Sequence, residues 1–207
     1  SIATDGIYKF DWNFIASLEV NPNNISLSTI KVYGNGGEML PELIISERSE
    51  DLVEVPIQVY DFNNNNLFDK EDYILWFAKD PTSIRYIESN QSYDAQGHDF
   101  DIASHYFLTW GGNAGKRITT IADGRGLSYN QTTNQYEDVI YHEQNEENHQ
   151  KSGRIWWGDK MQNNTIKSFS YPIPGISVGD KISIQTTTTA RSIQGYPSSM
   201  QLFLNDE

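Results

Sequence analysis

Residues 59–78 read VYDFNNNNLFDKEDYILWFA, a short apolar run followed by a polar loop rich in Asn and Asp and then by an aromatic run. The segments on either side, Leu52–Tyr60 and Tyr73–Phe77, alternate their side chains as half-buried strands do. A polar loop between two such segments predicts that they are neighbouring strands of one sheet. Asp61–Asp72 is therefore expected to form the loop of a hairpin.

The loop spaces its oxygen-bearing side chains as calcium loops do. A twelve-residue calcium loop supplies side-chain ligands from positions one, three, five, nine and twelve, and a backbone carbonyl from position seven. Position six is Asn66 instead of glycine, although Asn tolerates the left-handed backbone of a sharp turn. The Asp at position twelve reaches less far than Glu would. Counted from the first aspartate, the predicted metal ligands are Asp61, Asn63, Asn65, Leu67 through its carbonyl, Asp69 and Asp72.

A second interpretation of the same loop needs no metal. Asn and Asp side chains often hydrogen-bond to their own backbone, and an Asn-rich hairpin loop of that kind fits these residues equally well. Both interpretations stay open from sequence. Ca²⁺ is the cofactor that the first one implies, and neither gives the loop a catalytic role.

The composition is that of an acidic globular chain without cysteine. Among 207 residues, 28 acidic against 15 basic side chains give a net charge of −13, which argues against nucleic acid and anionic membranes as partners. The absence of cysteine excludes disulfides, a thiol nucleophile and zinc–thiolate sites. No apolar run approaches the roughly 20 residues that span a bilayer, so we expect no membrane insertion. Because there is no initiator Met or signal peptide, we expect a processed product or a piece of a longer protein.

Strand signals recur along the whole chain, with turn residues between them. One short helix is predicted over Phe14–Leu18, and Ser83–Asp101 is expected to be a looser polar region. Further strands are predicted at Gly6–Phe10, Ile25–Tyr33, His105–Trp110, Lys116–Ile121, Phe169–Ile173, Lys181–Ala190 and Met200–Leu204. This pattern predicts an all-β fold, an antiparallel β-sandwich or jelly-roll-like arrangement with few short helices. Since no linker or internal repeat interrupts it, we expect a single domain over residues 1–207.

Two pairs of histidines are weaker candidates for a metal site than the Asn-rich loop. A metal site near His98 and His105 is conceivable, but solvated loop residues explain this region better. His142 and His149 are seven residues apart, unlike the helical zinc pair, so a polar loop or helix face is again the better interpretation. The glycine cluster at Gly34–Gly37 lacks the Lys of a phosphate-binding loop, and a turn with positive φ angles accounts for it.

The segment around two adjacent tryptophans contains a candidate structural arginine. Arg154 is predicted to hold the Ser152–Trp157 turn to an acidic neighbour, either Asp159 or Glu143, because a guanidinium stacks on aromatic rings and forms forked hydrogen bonds. In a strand, Trp156 and its neighbour would point to opposite faces and could not both enter one core.

Several blocks of sequence, taken in order, resemble one family. The more specific blocks are Tyr33-Gly34-Asn35-Gly36-Gly37-Glu38-Met39-Leu40-Pro41-Glu42 and Ser152-Gly153-Arg154-Ile155-Trp156-Trp157-Gly158. The shorter blocks are Gly6–Lys9, Asp51–Glu54, Phe68–Asp69, Asp72–Leu75 and Tyr106–Thr109. Their order and spacing resemble the N-terminal, non-catalytic region of the PorU-type sortases of the type IX secretion system. The resemblance extends from Gly6 to Asn205.

The resemblance implies a protein on the extracellular face of the bacterial outer membrane. Members of this family resemble gingipain-type cysteine peptidases; they remove the C-terminal signal domain from secreted cargo and attach the cargo to anionic lipopolysaccharide. Their nucleophilic Cys and its His partner lie in a domain downstream of the region matched here. The implied partners are outer-membrane components of the secretion system and the signal domains of cargo. A chain without cysteine cannot itself supply the nucleophile.

Two other functions stay open. The runner-up is a calcium-stabilised carbohydrate-binding β-sandwich module, for which five Trp and twelve Tyr side chains offer possible sugar platforms. An independent hydrolase using pairs of carboxylates is the least favoured, because the Asp and Glu residues fall in loops without a matched partner.

Overall fold

The computed structural model describes residues 1–121, 126, 128, 131–149, 151, 153, 155–190 and 195–205. Two compact units divide the chain, Ser1–Glu137 and Asp138–Glu207, and each is described by itself. Strands prevail over helix and form small antiparallel sheets, which confirms the all-β prediction. The sandwich arrangement and the single domain over residues 1–207 stay predictions. Within the described residues, no helix is long and apolar enough to cross a membrane.

The first unit contains every helix and strand that the structure describes. One α-helix, α1, spans Trp12–Ser17, and short 3-10 turns span Pro22–Asn24 and Leu27–Thr29. The strands are β1 (Gly6–Asp11), β2 (Lys31–Tyr33), β3 (Glu54–Val55), β4 (Gln58–Tyr60), β5 (Tyr73–Ala78), β6 (Ser83–Ile87), β7 (Ser92–Gln96) and β8 (Phe107–Thr109). They form three separate antiparallel sheets, with the orders β1-β5-β4, β3-β2-β8 and β6-β7.

Strand β5 is the centre of the first sheet and of the core. Its alternate residues Ile74, Trp76 and Ala78 are buried, as a strand with one face against a core requires. The Trp76 ring stacks on Phe10 of β1 with 4.1 Å between the ring centroids, and Tyr8 tilts against it at 5.6 Å. The predicted alternation over Tyr73–Phe77 is thus confirmed.

Helix α1 follows β1 directly because Asp11 caps it. The Asp11 carboxylate accepts a hydrogen bond from the Phe14 backbone N–H (3.0 Å), which satisfies one of the free donors at the start of the helix. Ile15 is the one buried residue of the helix and fixes it to the core. The predicted short helix is confirmed, beginning two residues earlier than expected.

Proline interrupts the segment that was predicted as one strand, Leu52–Tyr60. Pro56 has no N–H to donate to a ladder, and the chain changes sheets at this residue. Before it, β3 pairs with β2; after it, β4 pairs with β5. One predicted strand therefore becomes two short strands in different sheets.

Other predicted strands are shortened, missing or found elsewhere. The first part of Ile25–Tyr33 is a 3-10 turn, and Lys116–Ile121 forms only an isolated bridge between Arg117 and Ile57. In the region predicted to be loose, β6 and β7 form a hairpin.

The second unit contains one isolated bridge, between Glu147 and Trp157, and no strand or helix within its described residues. The strands predicted at Phe169–Ile173, Lys181–Ala190 and Met200–Leu204 are therefore wrong. Their alternation satisfies one requirement of a strand, but a strand also needs a neighbour to accept and donate its main-chain hydrogen bonds.

Candidate functional site

The predicted calcium loop lies between two paired strands. Strands β4 and β5 are antiparallel neighbours, with Tyr60 opposite Tyr73 at the mouth of the loop. This confirms the predicted hairpin. It also places Asp61 and Asp72, the first and last predicted ligands, directly after β4 and directly before β5.

The Asp61 carboxylate closes the first half of the loop by accepting hydrogen bonds from backbone N–H groups four and five residues later. One carboxylate oxygen accepts from the Asn65 N–H (3.3 Å) and the other from the Asn66 N–H (2.9 Å). Asn64 and Asn66 take left-handed backbone angles, with φ of 57° and 61°. Asn is among the few residue types that adopt this conformation readily, which is why the Asn run can close so tight a loop.

Asp69 accepts hydrogen bonds from two of the other predicted ligands, Asn63 and Asn65. Its Oδ2 accepts from Nδ2 of Asn63 (2.6 Å) and from Nδ2 of Asn65 (2.8 Å). The amide oxygens of these two asparagines accept instead from backbone N–H groups, those of Asn65 (3.1 Å) and Leu67 (2.7 Å). Each amide oxygen has two lone pairs and accepts one backbone N–H, so Oδ1 of Asn63 and of Asn65 keeps capacity to bind Ca²⁺, which takes oxygen ligands.

Asp72 is buried, with 1% of its surface exposed, and each of its oxygens already has a backbone donor. Oδ1 accepts from the Phe62 N–H (3.0 Å) and Oδ2 from the Asp69 N–H (2.8 Å). The bond from Phe62 ties the two ends of the loop together, and the bond from Asp69 closes its last turn. A carboxylate has about four lone-pair positions, so capacity for an ion remains.

The carbonyl of Leu67 is directed suitably for a ligand. Leu67 and Ser26 form an antiparallel bridge whose hydrogen bonds are made by the flanking residues, Leu27 N–H to Asn66 O (3.0 Å) and Phe68 N–H to Ile25 O (3.0 Å). In such a pair the N–H and C=O of the central residue point away from the partner strand. The Leu67 N–H does so and reaches Asn65, which places its carbonyl on the same side.

Asn66 explains why position six is not glycine. Besides its left-handed backbone, its Oδ1 accepts from the Ser28 N–H (2.8 Å), and its Nδ2 donates to Oγ of Ser26 (2.8 Å) and of Ser28 (3.2 Å). Glycine would allow the turn but would lose these bonds to residues about forty positions earlier. Loop spacing could not indicate this role.

Arg117 is a second contributor that sequence did not indicate. Its Nη2 donates to the carbonyls of Leu27 (2.8 Å) and Ser28 (2.7 Å), and its Nη1 to those of Ile30 (3.2 Å) and Lys116 (3.0 Å). Partial burial lowers the pKa of the guanidinium, which nevertheless stays charged in proteins. The 3-10 turn that contacts the loop is therefore held by both Asn66 and Arg117.

A cleft of about 390 Å³ opens beside the loop. At its edge, the Trp12 indole N–H donates to Asn23 (2.8 Å), and the Lys70 ammonium lies 5.6 Å from the centroid of the Trp12 ring. The residues lining the cleft are Asn23, Phe62, Asn63, Asp69, Lys70, Glu71 and Asp72.

The donor set of the loop limits what it can hold. Over the described part of the chain, no group of three or more His, Cys, Asp or Glu side chains is arranged to hold a metal ion. A cation in this loop would therefore depend on amide and backbone oxygens alongside its carboxylates. This mixed oxygen set suits Ca²⁺ better than zinc, which prefers nitrogen and sulfur ligands.

His98 and His105 both contact Asp101, one through its backbone and the other through its carboxylate. His98 Nδ1 accepts from the backbone N–H groups of Phe100 and Asp101, both at 3.1 Å. His105 lies 2.8 Å from the Asp101 carboxylate, and this hydrogen bond is the main cause of the lowered pKa of Asp101.

In the second unit, His142 lies 2.5 Å from Asp159, and His149 lies 3.5 Å from a different carboxylate, that of Glu147. The pKa of Asp159 is lowered, first by its hydrogen bond from Lys167 and then by that from His142. Arg154 and Ser152 lie outside the described residues, so the role predicted for Arg154 stays a prediction.

No protein-family model matches this chain, and no match was found among curated proteins or solved structures.

Proposed function

We propose that this chain is the non-catalytic N-terminal domain of a PorU-type sortase of the type IX secretion system. The observation that carries the proposal is that separate blocks of the resemblance meet in space. Tyr33, from the glycine-rich block, pairs with Glu54 on one side and with Phe107 on the other. Three separate blocks thus meet in one sheet, β3-β2-β8: Tyr33 and Glu54 each lie at the end of a block, and β8 lies within the third.

The glycines of that block are required by its packing. Gly34 donates its N–H to the Val53 carbonyl (2.9 Å), and a Cβ at Gly34 would lie 2.6 Å from the Tyr106 ring. Gly37 has φ of 76°, and its Cβ would lie 1.8 Å from Oγ of the buried Ser104. These are constraints of close packing and of positive φ, which only glycine meets without strain.

Two further blocks pair within the first sheet. Lys9 lies opposite Leu75, and Phe10, the next residue after the first block, lies opposite Ile74. The blocks in the first unit thus serve as scaffold, which is what a non-catalytic domain requires.

The chain lacks a cysteine nucleophile, so peptide cleavage would belong to a downstream domain. In the proposed role, this domain supports or positions the peptidase, or contacts cargo signal domains and secretion-system components at the cell surface. The Asp61–Asp72 loop, with Ca²⁺ bound, would stiffen the β4–β5 hairpin.

The test is a binding and processing assay. The purified chain is mixed with a separately produced Cys- and His-bearing peptidase domain encoded downstream in the same gene. We expect the two to associate, and cargo with an intact C-terminal signal domain to be cleaved only when the peptidase domain is present. A gene with no such downstream domain would refute the proposal.

A carbohydrate-binding module is the second candidate, and one arrangement favours it. Tyr60 and Tyr73 stack with 4.5 Å between centroids, and Phe62, with 59% of its surface exposed, lies 6.0 Å from Tyr73 beside the polar cleft. An exposed ring next to amides and carboxylates is the arrangement that saccharides use for stacking and hydrogen bonds. Binding on a glycan array that Phe62→Ala abolishes and the exposed Phe77→Ala leaves intact would favour this candidate.

A further inference from the structure

The hairpin arm, formed by β6 and β7 (Ser83–Ile87 and Ser92–Gln96), is an incomplete sheet. Within the described residues its two strands pair only with each other. Both outer edges therefore carry main-chain N–H and C=O groups without a strand partner. A two-stranded hairpin is only marginally stable in water, whereas a third strand gives independent stability.

The two faces of the arm differ. On one face, Arg85 lies opposite Asp94, and its guanidinium also bonds the Glu38 carboxylate at 3.2 Å. On the other face, Tyr86 contacts Tyr93 across the strands with 5.2 Å between the ring centroids. Ile84 lies on this apolar face too and leaves 46% of its surface in water, as Tyr86 does with 49%. The arm is anchored by its polar face and leaves its apolar face uncovered.

Acidic groups lie on both faces of the arm and in its turn. On the apolar face the Tyr93 hydroxyl donates to the Glu137 carboxylate (2.9 Å); Glu88 lies in the turn, and Asp94 lies on the polar face opposite Arg85. The one basic residue of the arm, Arg85, is already engaged by Glu38. The first unit as a whole holds 20 of the 28 acidic residues but only 9 of the 15 basic ones.

We propose that the hairpin arm binds a basic, extended segment of a partner protein, which adds to it as a third strand. The free edge supplies main-chain hydrogen bonds, and the face of Ile84 and Tyr86 receives alternate apolar side chains. The acidic groups of the polar face and of the turn receive the Lys or Arg side chains between them. A second copy of this chain fits less well, because it would bring the same negative charge to the contact. This inference does not depend on the proposed sortase function.

The experiment measures binding of a fluorescent synthetic peptide to the full chain. The probe alternates valine with lysine; the matched control peptide has glutamate in place of every lysine. We expect saturable binding of the lysine peptide, weakened by added salt because the ion pairs are exposed, and no binding of the glutamate peptide. Hydrogen exchange should slow at residues 83–87 or 92–96 when the lysine peptide is added.

Two variants separate the apolar and the charged contributions. Ile84→Thr keeps a β-branched residue that suits a strand but removes apolar contact. Glu88→Lys reverses the charge of an acidic residue in the turn. Each should weaken binding by roughly fivefold. Glu19→Lys makes the same charge change after helix α1 and should leave binding within about twofold of the parent.

Several results would overturn the proposal. These are failure of the lysine peptide to bind, equal binding of the glutamate peptide, or binding that Ile84→Thr and Glu88→Lys both leave unchanged. Association of the chain with itself that Ile84→Thr abolishes would assign the apolar face to a second copy and would also overturn it.

Discussion

Asn66 combines a left-handed backbone with a side chain whose amide oxygen and nitrogen both contact the Ser26–Ser28 segment. Arg117 holds the same segment through main-chain carbonyls. At the scale of single residues, the stability of the loop therefore depends on side chains whose hydrogen-bond partners are distant in the sequence. Two substitutions test this.

We predict that Asn66→Gly lowers the free energy of unfolding by about 2–3 kcal/mol, because three hydrogen bonds are lost while the backbone angle is retained. Urea unfolding measures the change. Asn64→Gly is the matched control: Asn64 also has a positive φ, 57°, and we expect its substitution to change stability by less than about 0.5 kcal/mol. Equal effects of the two variants would contradict the role given to the Asn66 side chain.

We predict that Arg117→Lys lowers the free energy of unfolding by about 2 kcal/mol, since an ammonium cannot reproduce the forked contacts with four carbonyls. The exposed Arg48 provides the comparison, and Arg48→Lys should have almost no effect. Thermal and chemical unfolding of both variants measure the difference. An Arg117→Lys protein as stable as the parent would refute this role of Arg117.

At the scale of elements, the Asp61–Asp72 loop is a hairpin connection that is already closed by hydrogen bonds. The buried Asp72 joins the two ends of the loop, and Asp69 accepts hydrogen bonds from the amides of Asn63 and Asn65. Both interpretations of the sequence describe part of this geometry. The side chains that close the Asn-rich loop are also the predicted calcium ligands, and their oxygens keep lone pairs for an ion.

We predict that calcium stabilises the chain by mass action, by about 2.7 kcal/mol at a hundredfold excess over the dissociation constant. Magnesium should do much less, because it demands a tighter octahedral shell. Thermal unfolding with calcium, magnesium or chelator measures this.

Asp61→Ala is the informative variant for the calcium test. It removes acceptors for two backbone N–H groups, so it should lower stability even with chelator present. The quantity to compare is therefore the calcium-dependent increment, which should be lost in the variant. Melting curves of the parent that are identical with calcium and with chelator would leave the self-bonded loop as the answer.

At the scale of the whole molecule, the net charge and the absence of cysteine limit the possible functions most firmly. The net charge of −13 disfavours nucleic acid, and the absence of cysteine removes thiol chemistry. Scaffold contacts account for the sequence blocks in the first unit that resemble a sortase domain. A role in supporting or presenting a peptidase is compatible with these bounds.

We predict that the purified chain is catalytically silent. Cargo with an intact C-terminal signal domain should stay uncleaved after prolonged incubation, as followed by gel electrophoresis and mass spectrometry. The positive control is the same cargo with an active sortase. Reproducible cleavage by the pure chain, abolished by changing one of its own residues, would contradict the prediction.

Sequence by itself determined the features that depend on neighbouring residues. The alternation of β5, the short helix after β1 and the loop between β4 and β5 are all confirmed, because side-chain periodicity and turn chemistry are local properties. The absence of a cysteine nucleophile is equally a property of the sequence.

Only the tertiary structure decided which segments pair. It divided Leu52–Tyr60 between two sheets at Pro56, formed the hairpin arm in a polar region, and left Lys181–Ala190 without a strand despite its pattern. It also brought Asn66 and Arg117 to one 3-10 turn. A strand exists only when another segment completes its hydrogen bonds, and a side-chain clamp only when a distant carbonyl lies within reach. Both conditions are set by long-range contacts that local periodicity does not encode.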